Sequence, residues 1–188
     1  TDLGRETLDL PPVISFIGNG METLMERSLN ATGGMDQALH QQAYAKALAY
    51  YSAHTTTLTH VYPGVIETLE ALKQAGVRMG ICTNKPSAPA RDICEQLDLT
   101  RFFDVITGAE DGIPKKPDAT SLLTTIMALE SKQSTTLYVG DSGVDYRTAR
   151  NAGVRFRLFS GGYLNDPLPD LHANARFADW SLGAITAA

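Results

Sequence analysis

Two carboxylates follow an apolar run in the second half of the chain and could bind a cation. Asp141 comes directly after the run 137–140, and Asp145 lies four positions further on. Carboxylates at the end of a buried strand are costly unless a positive group meets them. Their oxygens suit a hard cation, and Mg²⁺ prefers one or two carboxylates together with water and a phosphate oxygen. This pair therefore predicts a magnesium site.

Polar groups at two other points of the chain could hold a phosphate beside that cation. Thr83 and Asn84 end a second apolar run, and the loop 112–119 contains Lys115 and Lys116. The Thr83 hydroxyl and the Asn84 amide could donate hydrogen bonds to phosphate oxygens, whose charge Lys116 would offset. Together with the carboxylates, these groups predict phosphoryl transfer, in which catalysis consists mostly of positioning and charge neutralisation.

Each of these features also has an ordinary structural explanation. A Gly-Asp-Ser sequence after a strand is commonly a turn with a helix cap, and a Thr-Asn pair is a common turn signal. Paired lysines in a loop are usually just solvated. The functional interpretation depends on all three occurring together at strand ends, because ligands of an open parallel sheet bind just beyond the carboxyl ends of its strands.

The elements that must position these residues alternate between helix and strand from residue 59 onward. Helical patterns cover 62–76, 86–99, 116–131 and 143–153, and strands are predicted in 77–85, 102–108, 135–142 and 154–162, with a short fifth strand near 175–180 and a final helical turn at 181–186. Strands separated by helices of this length pair in parallel through right-handed crossovers. Residues 59–188 are therefore predicted to form an α/β sandwich.

Residues 1–58 show a different pattern and are predicted to form a separate small helical domain. Segments 20–34 and 35–54 both favour helices, and the first has its apolar residues along one helical face. Only the segment 13–18 (VISFIG) has a weak strand pattern. Turn-forming and polar residues gather at 55–60, which places the domain boundary there.

Composition and charge exclude several classes of partner. The net charge is −5 and no run of Lys or Arg is present, so the basic face that a nucleic acid needs is missing. No apolar stretch approaches the roughly 20 residues needed to cross a bilayer, and the polar N-terminus has no secretory signal pattern. The two cysteines form no metal-binding motif and are predicted to be buried thiols in a reducing compartment. We therefore predict a cytoplasmic protein that binds neither nucleic acid nor membrane.

Three of these segments resemble motifs of the haloacid dehalogenase superfamily. The segment ICTNK resembles its second motif, in which Thr83 would bind the phosphoryl group, and KKP resembles its third, with Lys116 directly before the proline. The segment VGDSGVDYRTARNAG resembles its fourth, the acidic metal-binding motif, with Asp141 and Asp145 as the carboxylates. The resemblance implies a Rossmann-like three-layer sandwich with a parallel sheet and a small helical cap. It also implies Mg²⁺ as cofactor, with Thr83, Lys116 and Asp141 as catalytic residues.

The N-terminal part is similar to the helical cap of that family. Segment 13–29 (VISFIGNGMETLMERSL) is close to the cap segment of its bacterial phosphoglycolate phosphatase branch, where GNG opens a helix that faces the active site. This implies substrate contacts from Gly18, Asn19 and Gly20, with an ordinary helix-start turn as the alternative. The resemblance implies a phosphoric monoester hydrolase acting on a small phosphorylated metabolite, with 2-phosphoglycolate as the leading candidate.

The family's first motif has no counterpart in this sequence. That motif is an Asp-x-Asp-Gly-Thr loop after the first, central strand, whose first Asp forms an aspartyl-phosphate and whose second is the general acid and base. No two aspartates here lie two positions apart. We therefore expect the core to be without its first central strand, corresponding to about 20 to 30 residues before the cap. One alternative is that the chain is an inactive remnant that still binds phosphate and metal. The other is that it catalyses a different reaction of the family, such as that of a sugar-phosphate mutase. The oligomeric state is open, a homodimer included.

Overall fold

The computed structural model describes residues 3–110, 112–165 and 167–186. Its helices are α1 (Leu10–Ser15), α2 (Met21–Ala31), α3 (Gln37–Ala53), α4 (Val65–Gln74), α5 (Ser87–Gln96), α6 (Thr120–Ala128), α7 (Gly143–Ala152) and α8 (Leu182–Thr186), and its strands are β1 (Gly80–Pro86), β2 (Val105–Ala109), β3 (Leu137–Gly140), β4 (Arg155–Phe159) and β5 (Arg176–Phe177). From α4 onward the order of helices and strands is the predicted one. The α/β class is thereby confirmed.

The N-terminal part consists of helices α1, α2 and α3, and α2 packs against α3. The weak strand pattern at 13–18 is a wrong prediction, because Leu10–Ser15 forms a helix. Pro11 and Pro12 explain the difference, since they lie at the first positions of α1, where the missing N–H is not needed and the fixed φ favours a helix. Asp36 is the N-cap of helix α3, and its carboxylate accepts a hydrogen bond from the backbone N–H of Leu39 at 2.8 Å.

The strands form two parallel sheets. Strand β1 pairs with β2, with Ile81 opposite Ile106, and β3 pairs with β4, with Tyr138 opposite Phe156. Strand β5 extends the second sheet on the far side of β4. Thr83 and Asn84 lie in the second half of β1, and Asp141 directly follows β3, so these residues are placed towards the carboxyl ends of parallel strands, as predicted.

Helices cover both faces of the sheets. Along β1, Ile81 packs against the buried side of α5, whereas the next residue, Cys82, packs against Leu122 and Ile126 of α6. Along β3, Tyr138 belongs to the same cluster as α6 and α7, while its neighbours face Ile185 of α8. This alternation, which follows from the two-residue period of a strand, produces the predicted three layers.

An apolar cavity of about 1090 Å³ separates β1 from β3. Residues 80–82 line it on one side and residues 137–139 on the other, and side chains such as Leu69 of α4 and Ile126 of α6 line its two faces. In the described ranges, the two sheets thus meet across this cavity and not through a hydrogen-bonded ladder.

The cysteines agree with a further prediction. Cys82 and Cys94 are buried, and both are free thiols. Within the part of the chain that the structure describes, no helix combines the length and the apolar character needed to span a membrane.

Candidate active site

Lys116 is buried with its ammonium group beside the carboxylate of Asp145. The Lys116 Nζ lies 2.7 Å from Oδ1 of Asp145, and the two side chains are only 9% and 8% exposed. The same Nζ donates to the hydroxyl of Tyr138 at 2.9 Å and to the carbonyl of Cys82 at 3.1 Å. Because an ammonium group has three N–H donors, these acceptors use all of them.

Asp145 is held by donors on both of its oxygens. Besides Lys116, the Tyr138 hydroxyl lies 3.0 Å from Oδ1, while Oδ2 accepts from the Ser142 hydroxyl at 2.6 Å and from the Ser142 and Asp141 backbone N–H groups at 3.1 and 3.2 Å. Burial opposes ionisation, but the charge of Lys116 and the hydrogen bonds outweigh it and hold the pKa of Asp145 below its ordinary value. The carboxylate of Asp145 is therefore anionic and fixed by the protein.

The start of α7 explains this position of Asp145. Ser142 is the N-cap, and its side chain accepts the N–H of Asp145 while the Asp145 carboxylate accepts the N–H of Ser142. This reciprocal pair is a capping box, which also places a negative charge near the positive end of the helix dipole.

Asp141 is less completely held than Asp145 and is half-buried. Its Oδ2 accepts a hydrogen bond from the backbone N–H of Tyr163 at 3.2 Å. Burial, followed by the negative charge of Asp145, raises the pKa of Asp141 above its ordinary value. A Cβ on Gly162 would lie 2.2 Å from Asp141 Oδ2, so only glycine allows the loop after β4 to come this close. A bound cation would relieve the electrostatic cost of ionising Asp141.

The two predicted metal-binding carboxylates differ in how much freedom they keep. Among the described residues, no group of three or more His, Cys, Asp or Glu side chains is placed to hold a metal ion. Mg²⁺ needs only one or two carboxylates and otherwise keeps its waters. The residues present fit that requirement, with Asp141 offering the freer carboxylate and Asp145 turned towards Lys116.

Asn84 connects the end of β1 with the Lys116 loop and the N-terminal helices. Its side chain is buried, its Oδ1 accepts the backbone N–H of Lys116 at 2.8 Å, and its Nδ2 donates to the carbonyls of Lys116 and Gly18 at 3.0 and 3.3 Å. The neighbouring Thr83 hydroxyl accepts the N–H of Lys85 at 3.1 Å. Its proton has no acceptor among the described residues, so it can be donated to a ligand.

The segment Gly18–Gly20 lies over the core residues of the site. A Cβ on Gly20 would lie 3.6 Å from the carbonyl oxygen of Asn84, and one on Gly18 would lie 3.8 Å from Val144 of α7. The φ angle is 119° at Gly18 and 88° at Gly20, and residues with a Cβ disfavour such positive values. Asn19 is half-buried between them. The structure thus brings the predicted cap segment next to Asn84.

A second, smaller cavity lies between the N-terminal helices and the core. It has a volume of about 280 Å³ and is bordered by Glu22 of α2, Tyr44 of α3, Asn84, Glu110 and Lys115. The ammonium of Lys115 is paired with the Glu22 carboxylate.

Several residues of the site are not among the sequence predictions. Tyr138 gives no sequence signal, because its hydroxyl reaches the site across the gap between the two sheets. Gly162 gives no sequence signal either, because its role depends on how the loop after β4 folds. The Ser142-x-x-Asp145 spacing, in contrast, is a readable sign of a capping box.

Comparison with known proteins supports the family resemblance. Residues 5–159 match the family model of haloacid dehalogenase-like hydrolases. A phosphoglycolate phosphatase of Cereibacter sphaeroides is 40% identical over 177 residues, which are 93% of this chain and 80% of that protein. One from Rhodospirillum rubrum is 36% identical over 182 residues, 94% of this chain and 76% of that protein.

A solved structure agrees with the fold. The crystal structure of a predicted phosphoglycolate phosphatase from Haemophilus somnus superposes with a TM-score of 0.82 at 24% identity, covering 88% of this chain and 76% of that one. The curated relatives confirm the predicted enzyme class, that of the phosphoric monoester hydrolases. The chain belongs to the haloacid dehalogenase-like hydrolase family.

Proposed function

We propose that this chain forms the phosphate- and metal-binding part of a Mg²⁺-dependent phosphatase for a small phosphorylated metabolite, with 2-phosphoglycolate as the leading substrate. The observation that carries the proposal is the buried Lys116–Asp145 pair next to Asp141, at the carboxyl ends of β1 and β3. The names of the relatives in Cereibacter sphaeroides and Rhodospirillum rubrum support the substrate.

Each residue of the site has a separate role in this proposal. The free hydroxyl proton of Thr83 and the backbone N–H of Asn84 donate to phosphate oxygens, and Lys116 offsets their charge. Asp141 holds the cation, and Asp145 orients Lys116. When bound, Mg²⁺ supplies positive charge to the phosphate oxygens. Because all three Lys116 donors are used in the structure, the phosphate must replace one of the acceptors, and the two uncharged ones are the carbonyl of Cys82 at 3.1 Å and the hydroxyl of Tyr138 at 2.9 Å.

The nucleophile must come from outside the residues that form this site, since no two aspartates of the sequence are two positions apart. We assign its position to the cavity between β1 and β3, which has apolar walls and two parallel strands as neighbours. A strand placed there, parallel to both, would end beside Lys116 and Asp145. Its first aspartate would attack phosphorus as the bond from phosphorus to the substrate's ester oxygen breaks, and its second aspartate would give that leaving oxygen a proton. Water, deprotonated by the same second aspartate, would then hydrolyse the aspartyl-phosphate, which releases inorganic phosphate and restores the first aspartate. Residues 59–188 would then be a core domain that lacks this strand, and residues 1–58 the cap.

Phosphate release from 2-phosphoglycolate, measured with and without Mg²⁺, tests the proposal. We expect no turnover by the 188-residue chain. We expect Mg²⁺-dependent turnover when the chain is joined at its N-terminus to an apolar strand ending in Asp-x-Asp-Gly-Thr. The same extension with its first Asp replaced by Asn is the matched control and should be inactive.

Two results would contradict the proposal. Turnover by the 188-residue chain alone would show that its nucleophile lies within the sequence. An extended chain that unfolds cooperatively and binds Mg²⁺ but releases no phosphate would contradict the phosphatase assignment. Binding of phosphate and metal without any turnover in both forms would instead favour the second candidate, a binding remnant, which the absence of an Asp-x-Asp pair from the sequence supports.

The proposal includes a cytoplasmic location. Two buried free thiols and no disulfide between them suit a reducing compartment.

A further inference from the structure

Lys115 and Lys116 are adjacent in sequence, but their side chains lie in different places. Lys116 is buried in the site, whereas the Lys115 side chain is 34% exposed and borders the small cavity between the N-terminal helices and the core. The Asn84 side chain accepts the N–H of Lys116 and donates to the carbonyl of Lys116, and these hydrogen bonds fix the backbone between the two side chains. The two ammonium groups can therefore serve two different anionic groups.

The small cavity adjoins the proposed phosphate site and is suited to a small group. Asn84 belongs to both, because its backbone N–H is the proposed phosphate donor and the residue also borders the cavity. The volume of about 280 Å³ lies just below the usual range of ligand pockets, which suits only a small group. The part of a small substrate that is not phosphorylated would therefore extend into this cavity.

Lys115 is the cation among the described residues that border the cavity, and its partner is replaceable. The other charged residues there are Glu22 and Glu110, and Glu110 accepts a hydrogen bond from the Ser87 hydroxyl at 3.1 Å. Glu22, in the first turn of α2, pairs with Lys115, and its side chain is 50% exposed. Ion pairs of this exposure contribute little to stability, so another carboxylate can replace Glu22 at small cost.

We propose that Lys115 recognises the carboxylate of a phosphorylated carboxylic acid, and that Glu22 occupies the position of this carboxylate until the ligand replaces it. This inference rests on the proposed function, because it places the phosphate of the same ligand at Thr83, Asn84 and Lys116. The charge of the cavity is conserved in the exchange, since the Glu22 carboxylate turns to solvent as the ligand carboxylate enters. Lys115 is thus a specificity-determining residue for the acid end of the substrate.

Calorimetric titration of the full chain with two ligands in the presence of Mg²⁺ tests this assignment. The ligands are 2-phosphoglycolate and ethyl phosphate, which has a methyl group in place of the carboxylate. Lys115→Met should weaken 2-phosphoglycolate binding about tenfold, the size of one lost charge-assisted hydrogen bond, and leave ethyl phosphate unchanged. Glu22→Gln should tighten 2-phosphoglycolate binding about threefold, because it removes the competitor, and also leave ethyl phosphate unchanged. Lys132→Met, which removes an exposed charge elsewhere, is the matched control.

Five results would overturn the assignment. Equal weakening of both ligands by Lys115→Met would show a general electrostatic effect, and no weakening of either would exclude a role for Lys115 in binding. Weaker 2-phosphoglycolate binding in Glu22→Gln would exclude the competition. Equal binding of both ligands by the wild-type chain would overturn the role of Lys115 and leave the proposed phosphate site standing. Binding of neither ligand by the wild-type chain would overturn the phosphate site and the proposed function with it.

Discussion

The ammonium nitrogen of Lys116 lies 2.7 Å from Oδ1 of Asp145, although the two residues are 29 positions apart in the chain. This contact joins the loop before α6 to the start of α7. It also links the proposed phosphate site to the proposed metal site, since Asp145 accepts the backbone N–H of Asp141. The pair is buried, so the stability of the fold and the geometry of the site depend on the same contact.

Replacing Lys116 with Met should destabilise the chain by about 3 kcal/mol, because removal of one partner leaves the Asp145 carboxylate buried without its counter-ion. The free energy of unfolding from urea denaturation measures this effect. Lys115→Met at the adjacent, partly exposed position is the control, and it should change that free energy by less than about 1 kcal/mol. Equal effects of the two substitutions would contradict the burial of the Lys116–Asp145 pair.

Replacing Tyr138 with Phe should lower the free energy of unfolding by about 1 to 2 kcal/mol, since one oxygen of Asp145 loses a donor while the ring packing is kept. Burial, followed by the charge of Asp145, raises the pKa of Tyr138 well above its ordinary value, so the wild-type hydroxyl keeps its proton and can donate it at neutral pH. Tyr50→Phe at a 68% exposed position is the control. Equal stability of Tyr138→Phe and the wild type would show that the hydroxyl is not needed to hold Asp145.

Replacing Gly162 with Ala should displace Asp141, because the new Cβ would lie 2.2 Å from its Oδ2. We expect weaker Mg²⁺ binding by calorimetry, with the far-ultraviolet circular dichroism of the chain unchanged. Gly183→Ala in α8 is the control, since a Cβ there meets nothing within 4 Å. An unaltered Mg²⁺ affinity in Gly162→Ala would show that the loop after β4 does not contribute to the metal site.

The cysteine thiols should react slowly with a disulfide reagent in the native protein. Burial raises the pKa of Cys94, an effect that the nearby Arg91 only partly opposes, so little reactive thiolate forms between pH 7 and pH 9. A Cys82→Ala variant isolates the Cys94 signal, and the absorbance of the released reagent gives the rate before and after unfolding in urea. A native rate equal to the unfolded rate would contradict the burial of Cys94.

The order of the core elements could be predicted because each helix and strand has its own local pattern, from the apolar face of α4 to the run that forms β3. The weak strand at 13–18 was wrong because the apolar residues there suggested a strand, while Pro11 and Pro12 start a helix. The partners of Lys116 could not be predicted in the same way. Tyr138 and the carbonyl of Cys82 reach it only after β1 and β3 are placed on either side of the cavity.

The different roles of Asp141 and Asp145 were also beyond sequence reasoning, which treated them as an equal pair of metal ligands. Their difference comes from packing, since the capping box, Tyr138 and Lys116 all act on Asp145, while Tyr163 donates to Asp141. In the proposed site, only Asp141 is free to bind a cation directly.

Calorimetric titration of Mg²⁺ into the chain in the presence of inorganic phosphate tests this central claim most directly. Asp141→Asn should lower the Mg²⁺ affinity about tenfold or more, because it removes the charged ligand. Asp179→Asn, at an exposed position, should leave the affinity at the wild-type value. Mg²⁺ binding by Asp141→Asn with the wild-type affinity would contradict the account.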